Sequence, residues 1–146
     1  MSQQKQGLHL DLKYKHREAI EIPATKAVMF CLLDVSGSMG ETEKDIAKRF
    51  FLLLNLFLKH NYDIVDIVFI RHAEWADVCS EEIFFRGHES GGTIISTGYE
   101  KIREVINEKY NPNDWNIYIS QATDGDNLDF DNALMKLAEL GLIRKY

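Results

Sequence analysis

The sequence contains little of what marks exported, disulfide-rich or disordered proteins. It has two cysteines and two prolines in 146 residues, which excludes a disulfide framework and a proline-rich linker. Cys31 and Cys79 lie in otherwise apolar segments without metal-type spacing, so we interpret both as buried thiols in a reducing compartment. Residues 1–23 lack the apolar stretch and the small-residue cleavage site of a secretory signal. We therefore expect a cytoplasmic protein.

Long apolar runs and basic clusters are absent as well. No apolar stretch approaches the roughly 20 residues that are needed to cross a bilayer, because the longest, around Phe50 to Leu58, is interrupted by Asn55. The 17 basic residues are outnumbered by 23 acidic ones, which gives a net charge of -6. No stripe of Lys and Arg is dense enough to follow a phosphate backbone. We therefore expect neither a membrane nor nucleic acid as a partner.

The remaining composition is that of an ordinary globular protein, with 45% hydrophobic and 27% charged residues. This length suits one domain with a packed core. Within residues 1–22, apolar and polar side chains alternate, which suits an edge strand, although a flexible leader fits equally well. Residues 23–146 alternate between strand-like and helix-like segments. This alternation predicts an α/β domain with a largely parallel sheet flanked by helices.

The predicted elements follow from apolar periodicity and from the charges at helix ends. The predicted strands are 27–33, 63–70, 75–79 and 115–120, with the second and third joined as a hairpin. The predicted helices are 41–60, a segment that ends at about Tyr110, and a last helix that ends at about Leu140. Thr97 and Glu100 form a candidate capping box at the start of the second helix. The first helix has little polar face, so we expect it to be deeply packed.

Two predicted strands end in an aspartate, Asp34 and Asp124. The carboxyl ends of parallel strands meet at one edge of a sheet, where open α/β proteins bind ligands. Asp34 begins the spacing Asp-x-Ser-x-Ser, in which Gly37 lets the turn curl, and Thr93 follows two glycines in a third loop. Hydroxyls and carboxylates are hard oxygen ligands that suit Mg²⁺, Mn²⁺ or Ca²⁺ rather than zinc.

The three loops DVSGSM, GGT and TDGD resemble the metal-ion-dependent adhesion site of von Willebrand factor A domains. The resemblance spans residues 27–140 and implies a three-layer Rossmann-like fold. The last strands of a full A domain are not expected in this chain. It implies a divalent cation, Mg²⁺ or else Mn²⁺ or Ca²⁺, held by Asp34, Ser36, Ser38, Thr93 and Asp124. The residues expected beside these ligands are Gly37, Gly92, Gly125 and Asp126. A cation with two carboxylates among five ligands stays electrophilic and can bind a partner's acidic group.

Longer segments, among them KDIAKRFFLLLNLFL and ESGGTIISTGYE, are similar to the bacterial YeaH/YhbH family, which includes a sporulation-linked protein. Members of that family are much longer, so the resemblance implies the metal-site core without its flanks, or a shortened homologue. The family's genes often neighbour those of a PrkA-type serine kinase and a SpoVR-like protein, which makes these two proteins candidate partners. The function implied is docking of a protein partner rather than catalysis.

Other functions fit parts of the same pattern. Asp34, Ser36 and Ser38 are residue types that cap helices, and for one loop alone capping would explain them. A serine hydrolase would use one of these serines, but no histidine follows Asp124 as the usual chain order requires. A phosphotransferase that used Asp34 would normally need a second acid at position 36. No nucleotide-binding glycine motif occurs, and a module that binds through a sheet edge without metal stays open.

Three further residues could take part in the predicted site. His72 and His88 fall in predicted loops, where either could contact the ligands or respond to pH. Solvated loop histidines are the more frequent case, and we interpret both histidines in that way. Asp126 follows Gly125, where it suits a turn as well as a place beside the cation.

Overall fold

The computed structural model describes residues 25–86 and 91–125, together with Asn132, Met135, Lys136, Ala138 and Leu140. The predicted edge strand or leader of residues 1–22 lies outside the described residues, as do His88 and Asp126. Most of the predicted last helix also lies outside them, although the first four of the single residues named above are helical.

Four strands form one sheet in the order β3-β2-β1-β4. They are β1 (Lys26–Asp34), β2 (Ile64–His72), β3 (Ala76–Cys79) and β4 (Asn116–Ala122). β1 pairs in parallel with both β2 and β4, whereas β2 and β3 form an antiparallel hairpin. The predicted mostly parallel sheet with a hairpin at its edge is confirmed.

Among the described residues, three helices accompany this sheet: α1 (Glu41–Asn61), α2 (Glu81–Arg86) and α3 (Ile95–Lys109). The sequence predicted α1 and α3 but not α2. The predicted capping box is wrong, because Thr97 lies inside the first turn of α3 and its hydroxyl donates to the Ile94 carbonyl over 2.7 Å. Within the described part of the chain, no helix combines the length and the hydropathy of a membrane span.

β1 is buried on both faces because its side chains alternate between two cores. Phe30 and Leu32 pack with residues of α3 on one face. Cys31 and Leu33 pack with residues of α1 and α2 on the other face. The sheet is therefore the middle of three layers, and the continuous apolar run of β1 is what such a central strand requires.

Gly98 lets α3 approach β1 closely. A Cβ atom at this position would lie 2.7 Å from Cδ1 of Leu32, which is fully buried and has little room to move. A larger residue would force α3 away from the sheet. This contact fixes the start of α3, and with it the loop that contains Thr93.

The prediction that α1 is deeply packed is wrong. Its buried apolar residues are Ala47, Phe51 and Leu58. Six others are more than half exposed: Ile46 (62%), Phe50 (54%), Leu52 (57%), Leu53 (66%), Leu56 (57%) and Phe57 (57%). A helix that lies on a sheet buries only the stripe that faces it, so the rest of this long apolar run faces outward.

Candidate metal centre

The strand order creates a switch point at the carboxyl ends of β1 and β4. From β1 the chain crosses to β2 on one side, whereas β4 lies on the other side of β1. Such a switch point is where open α/β sheets bind ligands. Leu33 pairs with Ala122, the last residue of β4. The residues that follow them, Asp34 and Thr123, therefore lie side by side at the same edge of the sheet.

The Asp34 side chain is completely buried, with 0% exposure, and accepts hydrogen bonds from three neutral groups. The Ser36 backbone N–H donates to Oδ1 over 2.8 Å. The Thr93 and Thr123 hydroxyls donate to Oδ2 over 3.2 and 3.0 Å. These donors come from the loop after β1, the loop before α3 and the loop after β4. The three loops that the sequence predicted to converge therefore meet at this carboxylate.

The two serines of the first loop lie side by side, with their Oγ atoms 3.2 Å apart. Ser36 is buried, whereas Ser38 is exposed. The alternative in which Asp34 and these serines cap α1 is wrong, because the N-cap residue is Gly40 and no side-chain capping hydrogen bond is found there among the described residues. The polar groups of the first loop bond to one another instead, as in the Ser36 N–H to Asp34 and Ser36 to Ser38 contacts.

The loop that carries Thr93 is anchored by two hydrogen bonds that its backbone N–H groups donate. The Ile94 N–H donates to the Ala73 carbonyl over 2.8 Å. The Gly92 N–H donates to the Glu74 carboxylate over 3.2 Å. Both acceptors belong to the turn between β2 and β3, so the hairpin fixes the position of Thr93, which is buried.

The conformational freedom of glycine is needed at two positions near the site. Among the described glycines, only Gly91 (φ 147°) and Gly125 (φ 95°) have a positive φ, which L residues rarely adopt. Gly37 does not, so the assumption that its turn needs this freedom is wrong. Gly92 likewise contributes through its N–H rather than through an unusual φ.

Asp124 directly follows Thr123, whose hydroxyl contacts Asp34. Asp124 itself is exposed. The Gly125 N–H donates to the Thr123 hydroxyl over 3.2 Å and so turns the chain directly after Asp124. The sequence analysis did not identify Thr123 as a site residue. Its place between the end of β4 and the candidate ligand Asp124 could have indicated that its hydroxyl lies at the site.

The interpretation of His72 as a solvated loop residue is wrong. His72 is the last residue of β2, pairs in register with Asp34 and is fully buried. Among the described residues neither ring nitrogen has a hydrogen-bond partner. Burial lowers the pKa of His72 from its ordinary 6.5, and the nearby Asp34 carboxylate opposes this shift. The period-two pattern Val68, Ile70, His72 placed the imidazole on a buried face and could have revealed this.

We expect His72 to make the metal-free protein less stable as the pH falls. Because folding lowers the pKa of His72, the unfolded chain binds more protons just below 6.5, and the unfolding free energy decreases there. The part of the unfolding free energy that depends on neutral His72 is fully present above the unfolded-state pKa and is lost as the pH falls through the lower folded-state pKa. Urea unfolding in chelator from about pH 7.5 to about pH 5 should show a steeper loss for the wild type than for His72→Gln.

The control for the substitution is Lys109→Gln, at an exposed residue in the last turn of α3 that lies away from the candidate ligands. This variant should follow the wild-type pH dependence. Parallel pH profiles for the wild type and His72→Gln would contradict the assignment of His72 as a neutral buried imidazole.

The described candidate ligands can be compared with the known requirements of a hard-cation site. No group of three or more His, Cys, Asp and Glu side chains comes together in the part of the chain that the structure describes. The cluster instead surrounds one carboxylate with hydroxyl groups. Adjacent ligands in an octahedral Mg²⁺ shell lie about 3 Å apart, since each is about 2.1 Å from the ion. The 3.2 Å between the hydroxyls of Ser36 and Ser38 fits that spacing, and an all-oxygen set does not suit zinc.

The hydrolase alternative requires a serine that is activated by a histidine. The Ser36 hydroxyl is hydrogen-bonded to Ser38. His72 has no hydrogen-bond partner within the described residues. The geometry of the described site therefore offers no serine–histidine pair, and His88 lies outside it.

Comparisons with known proteins match nearly the whole chain to one group of bacterial proteins. The UPF0229 protein of Nitrobacter hamburgensis is 55% identical over 123 residues, which are 84% of this chain and 28% of that protein. A UPF0229 protein of Legionella pneumophila is 51% identical over 123 residues, or 84% of this chain and 29% of that protein. A third, from Bradyrhizobium diazoefficiens, is 50% identical over 128 residues, or 88% and 30%.

The chain thus spans less than a third of the length of these relatives. The expectation of a bacterial family without an assigned function is confirmed. Residues 8–143 match the family described as a protein of unknown function, DUF444, and this range includes the whole described sheet and all three loops of the candidate site. The chain belongs to the DUF444 family.

Proposed function

We propose that this chain is a von Willebrand factor A-type module that binds Mg²⁺, or Mn²⁺ or Ca²⁺ in its place, and docks a partner protein's acidic side chain on the ion. One observation carries the proposal: the Asp34 carboxylate is fully buried, and among the described residues it accepts hydrogen bonds from neutral groups. Burying a charge without a counter-charge is costly. A cation bound beside Asp34 would compensate that cost.

The proposed ligands divide into an inner and an outer set. Asp34, Ser36 and Thr93 are buried, whereas Ser38 and Asp124 are exposed. The site is therefore closed toward the sheet and open toward solvent. When bound, the cation would supply an electrophilic point for an anionic oxygen that arrives from the open side. The inner residues hold the site in shape, and the Thr123 hydroxyl orients the Asp34 carboxylate.

An apolar groove begins next to the open side. It has a volume of about 340 Å³ and runs between α1 and the end of β4. Its walls include Met39, Ile46, Phe50, Gln121 and Thr123. A partner segment that placed a carboxylate on the cation could bury apolar side chains here. The combination of a charged point with an adjacent apolar surface suits a protein ligand.

The candidate partners come from the resemblance to the YeaH/YhbH family. They are a PrkA-type serine kinase and a SpoVR-like protein, both expected in the cytoplasm with this chain. Catalysis is not part of the proposal, in which the metal serves as a docking point.

We expect each true partner to be retained by the wild type in Mg²⁺ and to be lost in chelator. The Asp34→Ala variant should retain at least tenfold less in Mg²⁺, because a carboxylate–metal contact of about 1.4 kcal/mol or more corresponds to that factor. The measurement is a pull-down with the purified candidate partners, quantified in all four combinations of protein and buffer.

The control for the pull-down is Asp45→Ala, which removes an exposed carboxylate of α1. This variant should behave as the wild type. A partner retained equally by the wild type and Asp34→Ala, with and without Mg²⁺, would favour binding through a metal-independent surface and would overturn the proposal.

A further inference from the structure

The outward face of α1 carries a regular apolar pattern whose side chains are exposed in the described structure. We propose that this face is a dimer interface, in which α1 of a second copy of this chain packs against it in antiparallel orientation. We call the four residues at its centre the α1 seam; they are Ile46, Phe50, Leu53 and Phe57. The proposal does not rest on the metal site, and none of the four is a candidate ligand. Ile46 and Phe50 also line the groove beside that site, so the dimer and a partner seated in the groove would compete for these two side chains, whereas a partner's contact with the cation does not need them.

The α1 seam has the spacing of a helix-pairing surface. Its residues follow one another at intervals of four, three and four positions, which is the repeat that brings side chains to one side of a coiled coil. All four are more than half exposed. Leu52 and Leu56 are similarly exposed but do not belong to the seam. Leu56 lies about a quarter turn round the helix from it. Leu52 lies farther round, where it lines a pocket with Lys48 and Phe85.

The same pattern is self-complementary under a two-fold axis. An antiparallel alignment that sets Phe50 against Leu53 of the second copy also sets Ile46 against that copy's Phe57. One step further out, the alignment sets Glu43 against His60. Each pair occurs twice, once from each chain, as an isologous interface requires. Aromatic residues thus meet aliphatic residues along the whole seam, without two phenylalanines facing each other.

The charges at the ends of α1 favour the antiparallel orientation. The first turn is acidic, with Glu41 and Glu43, and the last turn is basic, with Lys59 and His60. In an antiparallel pair, the acidic first turn of each α1 helix lies next to the basic last turn of the other. A parallel pair would set like charges against each other. Charge therefore selects the same arrangement that the apolar pattern permits.

The area of the α1 seam suits a contact that depends on protein concentration. Its four side chains, each more than half exposed, present on the order of 500 Å², which is the size of the largest apolar patch on a typical monomer, roughly 300–600 Å². A standard interface buries about 800 Å² per partner. The facing Glu43 and His60 at both ends would add to the buried area.

Sedimentation equilibrium of the 146-residue chain tests the proposal, once in Mg²⁺ and once in chelator. We expect a dimer in both buffers at protein concentrations of about 10–100 µM. Leu53→Glu should raise the dimer dissociation constant about 100-fold, because it places two charges at the centre of the seam. Ile83→Glu makes the same kind of change at an exposed apolar site of α2 (48% exposed) and should leave the constant unchanged.

A cysteine experiment tests the orientation. In a Cys79→Ser background, Glu43→Cys combined with His60→Cys should give a disulfide-linked dimer on a non-reducing gel, whereas Glu43→Cys alone should not. Cys31 should not interfere, because burial raises its pKa to about 12 and keeps the thiol protonated. Each variant is accepted only if its circular dichroism and melting transition match those of the wild type.

Four results would overturn the proposal. The first is a wild type that stays monomeric over the whole concentration range in both buffers. The second is a dimer whose dissociation constant is unchanged by Leu53→Glu, which would place the interface elsewhere. The third is a disulfide-linked dimer of Glu43→Cys alone, which would show a parallel pair. The fourth is dimerisation that needs Mg²⁺, because the α1 seam contains no metal ligand.

Discussion

Mg²⁺ will raise the melting temperature of the wild type, and Asp34→Asn will abolish this response. A ligand at about 100 times its Kd stabilises the folded state by about 2.7 kcal/mol. For a domain of this size each kcal/mol raises Tm by roughly 2–4 °C. The expected rise is therefore on the order of 5–10 °C in the wild type and close to zero in the variant, measured by differential scanning calorimetry with and without Mg²⁺.

The asparagine substitution removes charge while it keeps the shape of the site. The Ser36 N–H still finds a carbonyl oxygen at the position of Oδ1. The Thr93 and Thr123 hydroxyls, which donate to Oδ2 in the wild type, can rotate to accept from an amide instead. The metal-free variant should therefore fold, and the lost response can be assigned to the missing carboxylate.

Asp124→Asn provides a second test of the same site from its exposed side, and it too should lose the Mg²⁺ response. Asp45→Asn changes an exposed carboxylate of α1 and should keep the full response. Calorimetric titration gives the affinities directly. Equal Mg²⁺ affinity for the wild type and Asp34→Asn would rule out the assigned site.

The largest expected loss of stability comes from Phe84→Ala. Phe84 is fully buried, and its ring centroid lies 5.7 Å from that of Phe51 in α1 and 4.9 Å from that of Phe69 in β2. Removing the ring leaves a cavity where α2, α1 and the sheet meet. Such a truncation costs about 3–5 kcal/mol, measured by urea unfolding.

The neighbours of Phe84 supply matched controls within α2. Ile83 is exposed and Phe85 is half-buried. Ile83→Ala should change the unfolding free energy by less than about 0.5 kcal/mol. The loss caused by Phe85→Ala should lie between the losses caused by Ile83→Ala and Phe84→Ala. All three variants should keep the Mg²⁺ response below their unfolding transitions, because α2 holds no candidate ligand. A cost for Phe84→Ala similar to that of Ile83→Ala would show that α2 does not pack as described.

Several features of the fold could be predicted because their signals are local. The apolar run of β1 has the length of a strand and no polar face, so it could only be a strand covered on both sides. The acidic first turn and basic last turn of α1 marked both ends of that helix. The hairpin of β2 and β3 followed from two strand-like segments with a very short connection. These patterns require no knowledge of which neighbours meet.

The candidate site was predictable in its chemistry but only partly in its membership. Oxygen-bearing side chains at strand ends indicated a hard-cation site at one edge of the sheet. The contacts of Thr93 and Thr123 with Asp34 join positions separated by 59 and 89 residues. The position of Thr123 beside Asp34 depended on the register of β4 against β1, which the local sequence does not contain. The burial of His72 was indicated by the alternation along β2, but its place beside Asp34 depended on the pairing of β2 with β1.

The sequence alone determined the strands, the two long helices and the chemical type of the candidate ligands, which are carboxylate and hydroxyl oxygens. Only the tertiary structure decided the strand order, the place of the short helix α2 and which apolar residues of α1 are covered. The reason is that hydrophobicity records what a side chain prefers, whereas burial depends on the element that lies against it. The outward face of α1 shows this difference, since several of the leucines and phenylalanines that predicted a core helix, among them Phe50, Leu53 and Phe57, lie on the surface in this fold.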